Sequence, residues 1–319
     1  MRIRTLSGIL AFLVTAGLLV CALHLALDAG MHRIRFSSFG AFNRAAEGKV
    51  NAEIVVTGSS RAVLHYSPAI LGRATGLSVF NLGRIGAETN IHTGILRFYL
   101  HQNRSPRLLI ENADLTSLAI NDSVYDVPQY TPYLYDSDLY QAIRLRYPAI
   151  WKARYLPLYG YVANDVEFRH YLGLKALLGV QPWEDYLNGY LARNTEWTQA
   201  FARLKAARKQ FVYETEPQGV RDFEQFLSET ESRGIPTIVV FSPIYYEHLA
   251  MVAGRTQLMA KLAELAERHG AVFWDYSDLA SISGSTQFFF NSTHMNGRGA
   301  SLFSEVLGQR LAAWLALHR

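Results

Sequence analysis

Two short stretches, Thr57-Gly58-Ser59-Ser60-Arg61 and Asn291-Ser292-Thr293-His294-Met295-Asn296, hold the residue types from which serine-based acyl chemistry is assembled. A serine hydroxyl becomes a nucleophile when a histidine takes its proton, and the histidine acts as base when its other ring nitrogen is held by an acceptor. His294 has an acceptor three residues earlier, the amide oxygen of Asn291. Ser60 follows a glycine that permits a tight turn, with a helix N-terminus behind it. Taken singly, each has a plainer use: Ser60 as a helix cap, His294 as an exposed loop histidine. A third stretch, Asn81-Leu82-Gly83-Arg84-Ile85-Gly86, places two glycines three apart, so the Gly86 amide can approach a developing oxyanion. Its plainer use is a strand-to-helix turn. The spacing also mimics part of a dinucleotide loop, but the rest of that fingerprint is missing, so NAD is set aside.

Positioning these groups requires elements that end together. Brief β-branched or apolar runs occur at Glu53–Thr57, Leu77–Leu82, Arg107–Asn112, Ile235–Ser242 and Ala271–Asp275. Helical patterns alternate with them: Glu88 to about Gln102, Gly219–Arg233, a long segment ending at His269, and Gly297 to the C-terminus. Short buried runs alternating with helices predict βαβ units, hence an α/β fold with about five parallel strands and helices on both faces. In such sheets active groups gather outside the carboxyl ends of the strands, where all three stretches fall. The shared edge makes the functional reading of Ser60 and His294 stronger than either residue alone.

In order and spacing, Gly58-Ser59-Ser60, then Asn81-x-Gly83-x-x-Gly86, then Asn291-x-x-His294 before the last helix resembles the SGNH, or GDSL-like, hydrolase superfamily. The resemblance implies a three-layer α/β/α flavodoxin-like sandwich. It implies Ser60 as nucleophile, Gly86 as oxyanion-hole glycine beside the Ser60 amide, and His294 as base. Asn291 stands where the family usually has aspartate, leaving Asp275 or Asp278 as alternative acids. The family's third-block asparagine falls at Asn112 or Asp114, with Asn112 taken for the oxyanion hole. Ser59 in place of the usual aspartate, and the His-x-Asn-x-x-Gly-Ala ending, look like the branch serving cell-envelope acylation, which includes alginate O-acetyltransferase-like proteins and the teichoic acid D-alanine transfer protein. That branch implies an acyl donor, an envelope polysaccharide acceptor and a multi-spanning membrane-bound O-acyltransferase as partner. A plain esterase and a non-catalytic envelope assembly or sugar-binding protein are the competing readings.

The remaining sequence sets location and excludes other classes. Thr5 to Leu27 is apolar apart from His24 and reaches about 34 Å as a helix, against about 30 Å of hydrocarbon. A membrane anchor over 1–30 is therefore expected rather than a cleaved signal, since the run exceeds an ordinary signal core and no small-residue cleavage site follows. Arg2 and Arg4 precede it and favour an N-inside orientation, although Arg33 and Arg35 charge the other flank too. Residues 31–50 read as a stem and 51–319 as the catalytic domain. Within that domain about 115–216 breaks the alternation as a tyrosine-rich insertion over one sheet edge. Its rings suit sugar faces, a membrane interface or simple packing. The net charge of +4 is scattered, which argues against nucleic acid, and the single cysteine, Cys21, precludes an internal disulfide. No metal or cofactor motif is present in the sequence.

Overall fold

The computed structural model describes the whole chain except residues 1, 122, 164–169, 182–185, 208–209 and 319. Parts of the tyrosine-rich insertion thus lie outside the described residues. Helix α1 (Arg2–Met31) carries the apolar run, and α2 (Ser37–Ala46) follows directly. The expected stem is accordingly not a plain connector: Phe39, Phe42 and Ala45 of α2 are buried in the main core. The reason is amphipathicity, a ten-residue helix with one apolar face that has to be covered.

Five parallel strands form the sheet: β1 (Ile54–Gly58), β2 (Val79–Asn81), β3 (Leu108–Ala113), β7 (Thr237–Phe241) and β9 (Val272–Asp275), in the order β2-β1-β3-β7-β9. This is the doubly wound order of flavodoxin-like sheets. Between strands run α3 (Ser60–His65) and α4 (Pro68–Thr75), then α5 (Thr89–Leu100), α11 (Pro217–Ser232) and α13 (Arg255–Arg268), with α15 (Gly297–Leu317) closing the chain. Strand alternation separates the two cores. Val55, Leu109 and Val239 point to the cluster that includes Ile91 and Ile95 of α5 and Phe223 and Phe226 of α11. Ile54, Val56, Ile110 and Val240 point to the cluster that includes Leu71 of α4 and Phe303, Leu307 and Leu311 of α15. Period-two burial on both faces gives the three layers.

Between β3 and α11 the chain adds α6 (Ser137–Arg146), α7 (Trp151–Tyr155), α8 (Tyr159–Val162), α9 (His170–Leu177), the hairpin β4 (Tyr186–Leu187) and β5 (Tyr190–Leu191), α10 (Ala200–Ala207) and β6 (Phe211–Val212). Its aromatic residues are used mainly for packing: Tyr130, Tyr133 and Tyr161 are fully buried. Tyr133 also donates to the Phe39 carbonyl at 3.1 Å and to Asn43 Oδ1 at 2.9 Å, tying the insertion to α2. Asn188 and Gly189 turn the hairpin with positive φ at both positions, the geometry favoured for two-residue hairpin loops. The Asn188 carbonyl accepts from the amide of Asn81 on edge strand β2 at 2.9 Å, so this part of the insertion does lie at a sheet edge. β6 pairs with β8 (Val252–Ala253), which follows α12 (Tyr246–Ala250). After β9 come α14 (Ala280–Ser283) and a small hairpin, β10 (Phe289–Asn291) and β11 (His294–Met295).

Candidate active site

Strand order makes the crevice. β1 and β3 are neighbours whose connections leave in opposite directions, and such a switch point opens a cleft at the carboxyl ends. Ser60 follows β1 and Asp114 follows β3. Gly58 ends β1 with φ +137°, and a Cβ there would stand 2.9 Å from the Cβ atoms of both Ala62 and Asn112. Only glycine fits that bend. Ser60 is the first residue of α3, and its Oγ lies 2.7 Å from His294 Nε2. The N-cap of α3 is Ser59 rather than Ser60, and the described partner of the Ser60 hydroxyl is the histidine.

The hairpin β10–β11 settles the histidine's tautomer. Asn291 Oδ1 accepts from the amides of Thr293 at 3.0 Å and His294 at 2.9 Å, which identifies it as the oxygen of the side-chain amide. His294 Nδ1 is 3.0 Å from the same atom and must carry the proton. Thr293 Oγ1 stands 3.1 Å from Nδ1 as well. Nε2 is left with its lone pair toward Ser60, as a general base requires. An Asp→Asn change in serine proteases costs about 10⁴ in rate through the wrong tautomer. Here two backbone donors hold the amide oxygen toward the ring, so the tautomer is the productive one, although no negative charge sits on it.

Burial lowers the His294 pKa to about 4; the Asp114 carboxylate opposes the shift, and the Arg61 and Arg193 cations add to it. Only the neutral ring can act as a base, so chemistry that needs this base is lost only as falling pH passes through that value. The rate of Ser60 modification by a phosphonate is expected to stay level from neutral pH down to about 5 and to fall tenfold per unit below about 4. Asn291→Asp, which sets a charge against Nδ1, is expected to move that limb toward neutrality. A wild-type limb between pH 6 and 7 would show that solvent reaches the His294 ring.

Asp114 organises the loop around the serine. Its Oδ2 accepts from Ser59 Oγ at 2.6 Å and its Oδ1 from Arg61 Nη1 at 3.0 Å. Arg61 also donates to the Ser242 carbonyl and lies 4.5 Å above the Phe241 ring. The two other acids expected as possible partners of His294 lie elsewhere: Asp275 accepts from the Ser277 amide and Asp278 pairs with Arg255. The sequence draws attention to Ser59 and Arg61 as neighbours of Ser60 but gives no sign of their partner Asp114, and a second histidine, His65, carries no local signal. His65 Nε2 accepts from the Met295 amide at 2.9 Å, so Nδ1 donates to Ser242 Oγ at 2.8 Å, which donates to Asn112 Oδ1 at 2.9 Å. Tyr66 donates to the same oxygen at 2.7 Å.

That network answers for Asn112. Strand alternation turns its side chain under α3, where it is fully buried and held by Tyr66 and Ser242. The structure does not bring it into the crevice with Ser60. Gly86 is in the crevice. Its φ of +69° and a Cβ position 2.6 Å from Tyr125 Cβ leave room for glycine only. Among the described residues, no partner occupies the amide of Ser60 or of Gly86. The turn that carries Gly86 is braced from below: Ala87 O accepts from His92 Nε2 at 3.2 Å, His92 Nδ1 meets Glu111 Oε1 at 2.8 Å, and Thr57 donates to Glu111 Oε2 at 2.6 Å. Burial works against a charged His92, but the Glu111 carboxylate outweighs it and holds the pKa above the usual value. Gly86→Ala is expected to slow Ser60 acylation by about 10²-fold or more, the range for loss of one oxyanion donor. The burst rate of p-nitrophenol release would show this, and an unchanged rate would remove Gly86 from the site.

Two cavities of about 190 Å³ each meet at Ser60. Both include Ser59, Ser60, Asp114 and Thr116. One continues past His294, Tyr213 and Ile244, the other past Gly86, Glu88 and His92. A larger cavity of about 510 Å³, lined by Arg193, Trp197 and Arg298, lies behind the β10–β11 hairpin and does not reach Ser60. No family model matches the chain, and no curated protein matches it in sequence.

Proposed function

We propose that the chain is a membrane-anchored, SGNH-like serine acyltransferase that modifies a cell-envelope polysaccharide through a Ser60 acyl-enzyme. The observation that carries this reading is the 2.7 Å contact between Ser60 Oγ and a His294 Nε2 whose tautomer is fixed by Asn291. His294 takes the Ser60 proton as Oγ bonds to the acyl carbon, and the Ser60 and Gly86 amides hold the oxyanion. Collapse expels the leaving group with that proton. An acceptor hydroxyl then gives its proton to His294, attacks the acyl carbon and releases Ser60, which recovers the proton. Water in place of the sugar hydroxyl makes the same steps an ester hydrolysis.

The anchor supports the envelope setting. Leu6–Met31 is a helix long and apolar enough to cross a membrane, with a mean hydropathy of 2.5 in its best window. Arg2 and Arg4 ahead of it favour a domain on the periplasmic or extracellular side, against Arg33 and Arg35 on the other flank. There the acyl donor would come from a multi-spanning O-acyltransferase in the same membrane, a partner that follows from the family resemblance.

A serine-reactive phosphonate or a p-nitrophenyl acetate pulse, followed by mass spectrometry, tests the reading. Label on Ser60 that disappears in His294→Ala is the expected result. Folded protein with no label would leave a non-catalytic envelope assembly or sugar-binding protein, and label released to water with no transfer to any polysaccharide acceptor would leave an esterase.

A further inference from the structure

The insertion meets α1 at the last turn of the apolar run and just beyond it. The Leu158 amide donates to His24 Nδ1 at 3.3 Å, the Tyr161 hydroxyl donates to Asp28 at 2.6 Å, and the Tyr161 ring lies 5.6 Å from that of His24. Farther along, α9 lies backbone to backbone with α1: a Cβ on Gly173 would stand 2.5 Å from the Leu27 carbonyl oxygen, and one on Gly30 closer still to Gly173. These contacts fix the depth of the insertion relative to the span. A hydrocarbon core of about 30 Å takes about 20 helical residues, so a span entered at Leu6 leaves the core close to Leu25. The Leu156-Pro157-Leu158 tip therefore stands level with the last turn of the membrane-embedded helix.

What this segment exposes matches that depth. Trp151, Tyr155, Leu156 and Val162 are 45%, 63%, 42% and 63% exposed, an apolar and aromatic surface in which the Tyr155 ring meets Tyr140 edge-on. Lys152 and Arg154 lie among them, each beside a tyrosine ring. No acidic residue occurs from Leu139 to Ala163, against the cations Arg144, Lys152 and Arg154; a fourth, Arg146, is taken up by Asp222. Amphipathic rings with interleaved cations are what a bilayer interface selects: rings settle at headgroup level while cationic side chains reach lipid phosphates.

We propose that residues 151–162 form a collar that inserts its exposed side chains into the interface of an anionic lipid bilayer around the exit of α1, so that the domain is seated on the membrane. The proposal rests on the reading of α1 as a span. Depth comes from the α1 contacts, and the preference for anionic lipid from the charge of the segment. A seated domain keeps one orientation toward the bilayer, and the insertion acts as its foot.

Full-length protein with Cys21→Ala, reconstituted with lipid alone in nanodiscs containing phosphatidylglycerol, tests this. Spin labels are placed singly at Leu156, Val162, Leu13 of the span and Val212, which is 72% exposed on strand β6. The oxygen-to-nickel collision ratio separates lipid from water. Ratios at Leu156 and Val162 several-fold above Val212 are expected, falling toward it with Lys152→Glu and Arg154→Glu together. Water-like ratios at Leu156 and Val162 with a lipid-like ratio at Leu13 overturn the collar and leave the anchor standing, pointing instead to a protein partner for this surface. A water-like ratio at Leu13 overturns the span and the collar with it.

Discussion

Ser60→Ala is expected to abolish the acyl-enzyme and to cut p-nitrophenyl acetate turnover by up to about 10⁶-fold, with His294→Ala close behind and the double variant no worse than either. The two residues act on one proton in one step, so removing the second partner takes nothing further away. Asn291→Ala is expected to cost less, about 10⁴-fold, because it frees the ring to take the unproductive tautomer without removing the base. The fold should survive Ser60→Ala, since the only described partner of the Ser60 hydroxyl is His294. Steady-state turnover beside circular dichroism and thermal midpoints decides the matter. Losses for Ser60→Ala and His294→Ala that multiply in the double variant would mean that the two do not share a step.

Arg61→Leu is expected to lower stability by about 3–5 kcal/mol, the cost of breaking a buried ion pair by removing one partner. The Arg61 and Asp114 side chains are 4% and 10% exposed, so the carboxylate left behind would keep Ser59 as its one hydroxyl donor. Arg61→Lys should recover little. A single ammonium cannot donate to Asp114 and the Ser242 carbonyl together while lying over the Phe241 ring. Urea unfolding at fixed pH measures the difference. An unfolding free energy within about 0.5 kcal/mol of wild type, the ordinary range for surface substitutions, would show that solvent reaches the pair.

The layered architecture was legible because it rests on short-range pattern. Runs expected at Glu53–Thr57 and Ala271–Asp275 appear as Ile54–Gly58 and Val272–Asp275, and the helix expected from Glu88 runs Thr89–Leu100. The supports of the site were not legible. Arg61 meets Asp114 across 53 positions and the Ser242 carbonyl across 181, and pairs so distant leave no mark on local spacing. Asn112 was assigned to the crevice from block order, whereas the face it occupies depends on the register that sets it opposite Gly58. The tyrosines were ambiguous for a chemical reason: a ring with a polar tip satisfies a core, a sugar or an interface equally, and only packing separates buried Tyr130 and Tyr133 from exposed Tyr155. Residues 31–50 looked like a tether because α2 is only one turn-bounded decapeptide, with nothing nearby in sequence to cover its apolar face.

The Asn188-Gly189 turn has a consequence for the molecule's behaviour in company. An open sheet ends in unpaired backbone groups that can recruit a strand from another chain and start a polymer. At β2 that risk is met by three residues of strand and by the hairpin tip, whose Asn188 carbonyl already takes the Asn81 amide. Gly189 stands so close to the Asn81 carbonyl that any side chain there would push the tip away. At the opposite margin β9 is four residues long and ends on exposed Asp275, a charge that discourages stacking. Copies of the chain brought close together are thereby discouraged from joining edge to edge.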